Sequence, residues 1–435
     1  MSDSLSLVLV YLLPLLLGFG LYTLARRRRH LGASAKLADS QEAGLTEPAS
    51  LHPLIDPALC LGCAVCVDVC PEGEILGLVH GKAVLVEPTS CIGHGACREA
   101  CPQDAITLVL GTEKRGVEVP RLGADFQTNV PGIYVAGELG GMGLIRNAIV
   151  QGSRAAEQIA DSIGSQRRDG FDLIVVGAGP AGLSASLRAR ELGLRCLTLE
   201  QDTLGGTVAH YPRNKIVMTG PVTLPLYGKV NLRETRKERL LELWADVVER
   251  TGIEIRFEES VVSIERGGDG YRVETSIAEY SGAKLLLAIG RRGTPRKLGV
   301  PGEELPKVVY RLTVPEQYRG QRVLVVGGGD SALEAASSIA EEPGTEVTLA
   351  YRGEAFSRAR KKNRERVDAA VARSEIGLFL SSQVRSIEEQ LVTLETPNGA
   401  KTLANDVVIV CAGGILPTAM LRASGIEIEV RHGEA

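Results

Sequence analysis

The sequence predicts an α/β protein: two doubly wound strand-and-helix units, preceded by a small cysteine-rich α+β domain and one N-terminal transmembrane helix. Three observations carry that prediction. Glycine-rich turns between an apolar strand and a helix recur at Gly177 and Gly327; seven of the nine cysteines fall between Cys60 and Cys101; and no charge occurs between Asp3 and Arg26. A chain of 435 residues exceeds one compact core, and at ~150 residues per domain it divides into roughly two to four units. Its 44% hydrophobic and 23% charged content is that of a folded protein. A net charge of −4 gives no footing for nucleic acid or another polyanion. With 50 glycines and only 4% aromatics, the composition suits many tight strand-to-helix turns. Cysteines clustered in an otherwise cysteine-poor chain indicate metal ligation in a reducing compartment, not a disulfide scaffold.

Residues 1–30 are expected to be a membrane anchor with a basic stop. Ser4 to Ala25 read SLSLVLVYLLPLLLGFGLYTLA. As a helix at ~1.5 Å per residue this run covers about the ~30 Å of a hydrocarbon core. Pro14, Gly18 and Gly20 are tolerated in such a helix. A cleaved signal peptide places positive charge before its apolar run; here Asp3 precedes it, and Arg26, Arg27, Arg28, Arg29 and His30 follow. The positive-inside rule then puts the N-terminus outside and the rest of the chain in the cytoplasm, at a bacterial-type inner membrane crossed once. Residues 31–52, small and polar without periodicity, are expected to be a flexible linker.

Cys60, Cys63, Cys66 and Cys70-Pro71 form C-x2-C-x2-C-x3-C-P. Cys91, His94, Cys97 and Cys101-Pro102 repeat the spacing, with His94 in the second cysteine's place. Three closely spaced thiolates wrap one iron–sulfur cluster, while the fourth cysteine, turned away by its proline, ligates the other. Cluster I is expected on Cys60, Cys63, Cys66 and Cys101, and cluster II on Cys91, Cys97 and Cys70 with His94 beside the fourth iron. Structural zinc pairs two short C-x2-C knuckles and needs no C-P ends, so [4Fe-4S] is expected instead. Over residues 53–110, down to IDPALCLGC and VEPTSCIGHGACREACPQDAITL, the chain resembles a bacterial ferredoxin. His94 departs from that family. Three alternatives stay open: it ligates iron through a ring nitrogen, raising the potential as in Rieske centres; the site holds a [3Fe-4S] cluster; or cluster II is absent.

In DLIVVGAGPAGLSASLRARELGLRCLTLEQD (172–202) an apolar strand runs into Gly177, Gly179 and Gly182, then a helix and a second strand ending at Glu200. The first glycine makes the turn, the second lets backbone approach a pyrophosphate, and the third lets the helix pack on the strand. Glu200 is placed for ribose hydroxyls. The order recurs in RVLVVGGGDSALEAASSIAEEPGTEVTLAYR (322–352), where Gly327 and Gly329 hold and Ala332 replaces the third glycine. No acid closes the second strand; Tyr351, Arg352, Arg358, Arg360, Lys361 and Lys362 follow instead. A basic group there suits a 2′-phosphate and favours NADPH over NADH. Both stretches are Rossmann-like, dinucleotide-binding units.

Two such units in one chain resemble the two-dinucleotide-binding flavoproteins of the thioredoxin-reductase-like group. Ala288-Ile289-Gly290, Pro295, Arg296 and Pro301-Gly302-Glu303 look like the crossover out of the FAD domain. Val408-Ile409-Val410, Gly413-Gly414 and Pro417-Thr418 look like the return. GTVAHYPRNKIVMTGPVTLPLYG (206–228) is similar to the segment that passes the flavin in bacillithiol-disulfide-reductase-like members. The resemblance implies FAD on residues 169–303, NAD(P)H on 304–418, and a return toward the FAD domain at 419–435. One family element is displaced. The strand and glycine-acid pair that contact the ribityl chain of FAD normally close the sequence; here they stand upstream, at 128–162, with Gly137-Glu138 as the pair. Residues 111–168 are therefore expected to be a circularly permuted piece of the FAD domain, joined to the first strand through GSQRRDG (164–170). A second-copy remnant without a flavin role is the alternative.

The same group implies disulfide reduction, but the cysteines for it are missing. VVYRLTVPEQYRG (308–320) occupies the region of the thioredoxin reductase redox pair, and Ala181 stands where the bacillithiol group has cysteine. Cys196 and Cys411 fall in predicted strands as core residues, and disulfide exchange needs an accessible thiolate. A flavin joined to clusters does a different job: NADPH gives two electrons as hydride, each cluster takes one, and a bound flavin converts between the two. The expected function is a membrane-anchored iron–sulfur flavoprotein passing electrons between NAD(P)H and a one-electron acceptor, a redox protein or a quinone at the membrane. The alternatives are a flavin-dependent reductase of a small-molecule or disulfide substrate, and a redox sensor without steady turnover. Direction of flow and homodimerisation stay open.

Overall fold

The computed structural model describes every residue except 1, 49–50, 142, 164–169, 212, 214, 219, 233, 269, 292, 313, 358, 416 and 434–435. It divides into two compact units, Met1–Arg115 with Gly433–Ala435, and Gly116–His432. In the first, the strands His52–Ile55 and Ile106–Val109 pair antiparallel, as do Leu76–Val79 and Lys82–Leu85. The two cysteine runs start short helices, Val65–Asp68 and Ala96–Glu99. Each helix is entered through a left-handed residue, Ala64 at φ 67° and Gly95 at φ 83°, which turns the chain sharply enough to bring closely spaced cysteines to one point.

The N-terminal region corrects two expectations. One helix runs from Ser2 to Glu42 without a break at the arginines, so residues 31–42 are not a tether. They pack: Ala33 is buried with Val79 and Val86, and Ser40 Oγ donates to the Val86 carbonyl at 2.8 Å. Lys36 pairs with Glu74 at 2.5 Å. Small residues allow the approach, for a Cβ at Gly77 would stand 2.7 Å from the Ala33 methyl. The second correction concerns the membrane. Among the described residues no helix is long and apolar enough to cross one. The single-pass anchor is withdrawn, and with it the inner-membrane location, the outside N-terminus and the cytoplasmic redox domains.

Two large sheets organise the second unit. In the first the strand order is Ile255–Arg256, Cys196–Leu199, Phe171–Val176, Glu279–Leu287, Gly270–Thr275, Val261–Gly267. The first four are parallel and the rest antiparallel. The central parallel strands do not alternate between buried and exposed side chains. Leu173, Ile174, Val175 and Leu285, Leu286, Leu287 are buried in unbroken runs, because helices and loops cover both faces. Ile133–Val135 adds a further strand, parallel to Leu285–Leu287. The helix that follows it, Ile145–Ser162, lies against Pro180–Glu191. A Cβ at Gly152 would stand 2.0 Å from the Ala181 carbonyl oxygen, so the two backbones touch.

The second sheet is fully parallel, in the order Val308–Val309, Val407–Val410, Arg322–Val326, Glu346–Ala350, Ile376–Phe379. Three antiparallel strands, Gln383–Ile387, Leu391–Thr396 and Gly399–Ala404, are appended to it in sequence. The chain passes between the halves through Thr294–Pro295 and returns through Gly414–Ile415, and these two segments pair antiparallel. After the return, Leu421 and Ile426 enter the core that holds Ile133, Ile174 and Leu287. Ile428–Arg431 then pairs with Val117–Pro120.

The Gly152 contact leaves no space for a methyl group. Gly152→Ala is expected to destabilise the second unit by about 2–3 kcal/mol, read as an earlier denaturant midpoint at unchanged slope. An unshifted midpoint would mean that the helices are not in backbone contact.

Candidate functional site: two glycine loops and two cysteine cages

Gly177 adopts φ +102°, and a Cβ there would lie 2.6 Å from the Ala288 carbonyl oxygen. At Gly182 a Cβ would meet the Gly177 carbonyl oxygen at 1.8 Å. These two positions form the turn and the strand–helix contact. Gly179 faces away from both, its nearest neighbour the Gly206 Cα at 4.0 Å from a Cβ. The Gly205 N–H donates to the Ala178 carbonyl at 3.1 Å, which lays the 205–206 loop beside the turn. Two stretches without side chains therefore face each other where a pyrophosphate would enter.

Glu200 is buried at the end of the second strand. Its Oε2 accepts the Ala178 N–H at 2.7 Å and its Oε1 the Asp202 N–H at 3.0 Å. Burial pushes the carboxyl above its ordinary range while these donors pull it back. Each oxygen keeps lone-pair capacity for a ribose hydroxyl. Gly137 adopts φ +85°, with its N–H donating to Gln151 Oε1 at 2.9 Å. A Cβ on it would be 3.0 Å from the Ala181 methyl, so the Gly137-Glu138 pair sits against the first glycine loop's helix. Beside it is Arg291, whose guanidinium burial lowers while the carboxylates of Glu138 and Glu118 raise it. Sequence reasoning missed Arg291; its only signal was its place directly after Gly290.

The second loop is similar. Gly327 adopts φ +146° and a Cβ there would be 2.4 Å from the Cys411 carbonyl oxygen, whereas Gly329 faces open space. Ala332 is fully buried, its methyl 3.1 Å from where a Gly327 Cβ would be; the methyl fits because Gly327 has none. The Tyr351 ring lies on Gly328, where a Cβ would be 2.4 Å away, and stacks on Phe356 at 5.6 Å. Arg352 is exposed just past the strand end, and Arg358 lies outside the described residues. Arg360 is committed elsewhere: its N–H donates to Asp330 Oδ1 at 2.8 Å and its guanidinium lies 3.8 Å from the same carboxylate. Lys215 pairs with Glu334 at 2.5 Å, a link between the two dinucleotide units that no local motif reveals.

The cysteines of the first unit ring two cavities. One, of about 360 Å³ counted to its open mouth, is lined by Cys60, Cys63, Cys66 and Cys101. The other, of about 390 Å³, is lined by Cys70, Cys91, Cys97 and His94. Burial pushes the Cys66 and Cys91 thiols up to about 11, and neighbouring cysteines add to the rise in each case. Thiols held together out of water resist ionisation unless a cationic core compensates them. The Ala83 N–H already points at Cys60 Sγ, 3.4 Å away. Among the described residues no three His, Cys, Asp or Glu side chains close on a single-ion site; a cluster instead needs thiolates spread round a cage, the arrangement found.

A family model described as pyridine nucleotide-disulphide oxidoreductase matches residues 174–433. The chain belongs to that family. A 4Fe-4S dicluster domain matches residues 52–102 of the same chain. It is an FAD- and pyridine-nucleotide-dependent oxidoreductase with an iron–sulfur domain. A ferredoxin–NADP reductase of Ignicoccus hospitalis is 30% identical over 249 residues, 56% of this chain and 76% of that one. The bacilliredoxin reductase Bdr of Bacillus subtilis is 28% identical over 268 residues, 60% and 82% of the two chains. Among solved structures, the bacillithiol disulfide reductase Bdr from Staphylococcus aureus superposes with TM-score 0.53 at 25% identity, covering 59% of this chain and 81% of that one.

The two thiols of this oxidoreductase's second unit belong to different sheets and form no redox pair. Burial pushes Cys196 up to about 12, against opposing hydrogen bonds with Ser186 and Thr198, and Cys411 packs on the second sheet's core. Ala181 is buried under Gly137. Iodoacetamide at about pH 9 is expected to leave Cys196 unlabelled in the native protein and to label it after unfolding. Rapid native labelling would show a reactive thiol there.

Proposed function

We propose that this protein passes electrons between NADPH and a one-electron acceptor protein, using the first glycine loop for FAD, the second for NADPH and the two cysteine cages for [4Fe-4S] clusters. The observation that carries the reading is the pairing, in one chain, of two dinucleotide loops with two cysteine-ringed cages, and of no closely spaced pair of cysteines in the sequence outside those cages. Bound flavin would supply the conversion between a hydride and single electrons. Gly177, Gly179 and Gly182 would hold the FAD pyrophosphate, with Glu200 on the ribose and Gly137-Glu138 toward the ribityl chain. Gly327, Gly329 and Ala332 would form the NADPH turn, with Arg352 and Arg358 for the 2′-phosphate.

The reading includes a circular permutation. Strand Ile133–Val135 and helix Ile145–Ser162 complete the first sheet from upstream of its first glycine loop, and residues 419–432 return to the same core. The 164–170 join falls almost wholly outside the described residues. Cluster I would use Cys60, Cys63, Cys66 and Cys101, and cluster II Cys70, Cys91, Cys97 and His94. A quinone at a membrane is no longer proposed, because it rested on the withdrawn anchor. A disulfide substrate is the second reading, favoured by the two Bdr relatives and opposed by Ala181 and Cys196.

The test is to remove cluster I with Cys63→Ala and Cys66→Ala together. NADPH should still bleach the flavin at the wild-type rate, while reduction of cytochrome c as acceptor falls about tenfold or more. Turnover of a disulfide probe by the wild type, with cytochrome c reduction untouched by the substitutions, would replace this reading with the second.

A further inference from the structure

The two cages come from one repeated sequence, so each serves as a control for the other. Cage I is lined by four cysteines and, after Cys101-Pro102, by the neutral amide Gln103. Cage II is lined by three cysteines, His94 and, after Cys70-Pro71, the carboxylate Glu72. Two departures from the repeat, His94 and Glu72, therefore fall in the same cavity. Their charges offset: an imidazole in place of a thiolate removes one negative charge, and a glutamate in place of a glutamine restores it.

The geometry brings the two groups together. Glu72 Oε1 lies 3.9 Å from His94 Nε2, with both side chains about three-quarters buried at 21% and 25% exposure. That separation exceeds a direct hydrogen bond but lies within ion-pair reach. Glu72 Oε1 is itself buried and accepts no hydrogen bond. A buried carboxylate oxygen without a donor is costly and calls for a partner. Histidines that ligate metal generally direct their second ring nitrogen to a carboxylate, which fixes the ring and its tautomer.

We propose that Glu72 is the positioning residue for His94 at cluster II: its carboxylate faces the Nε2 side of the imidazole and returns to the cage the charge lost with the missing cysteine. This deepens the reading that His94 ligates cluster II, and rests on it. Glu72 holds no iron.

The experiment uses the full chain, reconstituted anaerobically, with iron and sulfide counted and each cluster's midpoint potential and nitrogen hyperfine coupling read by pulsed EPR. Wild type should show a strongly coupled nitrogen on cluster II only. Glu72→Gln should keep the iron count and raise the cluster II potential, because one negative charge is gone; cluster I should not move. Glu72→Ala should also alter the nitrogen coupling, since the ring loses its orienting partner. His94→Cys should abolish the coupling and lower the potential, and the combined His94→Cys, Glu72→Gln variant should move the potential back upward. A wild-type nitrogen coupling with Glu72→Gln and Glu72→Ala both indistinguishable from wild type would overturn the role of Glu72 and leave His94 ligation standing. A wild type without coupled nitrogen, or with a three-iron signal, would overturn His94 ligation and the proposal together.

Discussion

Backbone contact between the helices Ile145–Ser162 and Pro180–Glu191 is the constraint on which the second unit depends. At Gly152 no side chain separates them, and Ala148, Ala155, Ala156, Ala181 and Ala185 make up the rest of one buried small-residue seam. Small residues let helices approach closely and gain dispersion over a long contact. The seam sets the place of the preceding strand, Ile133–Val135, beside Leu285–Leu287. It also sets Gly137-Glu138 against the first glycine loop. The same packing explains the missing thiol. The Ala181 methyl faces Gly137, while Gly152 closes on the Ala181 backbone, so a larger side chain at 181 would press on the Gly137 turn.

The first unit follows a different logic. Its small core includes Cys60, Cys66 and Cys97 alongside Leu76 and Ile106, so the side chains that would hold clusters are also core residues. Burial raises the Cys66 and Cys97 thiols, an unfavourable setting for several thiolates at once. Iron would reverse that balance by supplying positive charge at the centre of each cage. Folding of this unit and cluster assembly would then be coupled, as in other small metal-dependent domains.

What could be read from the sequence was what short-range geometry dictates. The cysteine spacings and the glycine turns leave little freedom in a few residues, and the described members of each set come together in space. Gly177 and Gly327 have the positive φ that their turns require. The rest depended on distant partners. Residues 31–42 carry Leu31 and Leu37 as their large apolar residues among Gly32, Ala33, Ala35 and Ser40, and read as a linker until Val86 and Gly77 supply the surface they pack on. Glu72 looks like any surface acid until the fold brings His94 beside it. Lys215 and Glu334, like Arg291 and Glu138, meet only through tertiary structure. The membrane anchor was read from a charge-free run of sufficient helical length with arginines after it, and among the described residues no helix is long and apolar enough to cross a membrane.

The central claim is that NADPH, flavin and clusters share one electron route. The measurement that tests it most directly is an anaerobic NADPH titration of the whole protein, followed by low-temperature EPR with iron and flavin quantified on the same sample. The account predicts reduced-cluster signals that grow as NADPH is added, in step with flavin bleaching. It is contradicted if the flavin bleaches while intact, dithionite-reducible clusters stay oxidised and, once reduced, are not reoxidised by NADP+.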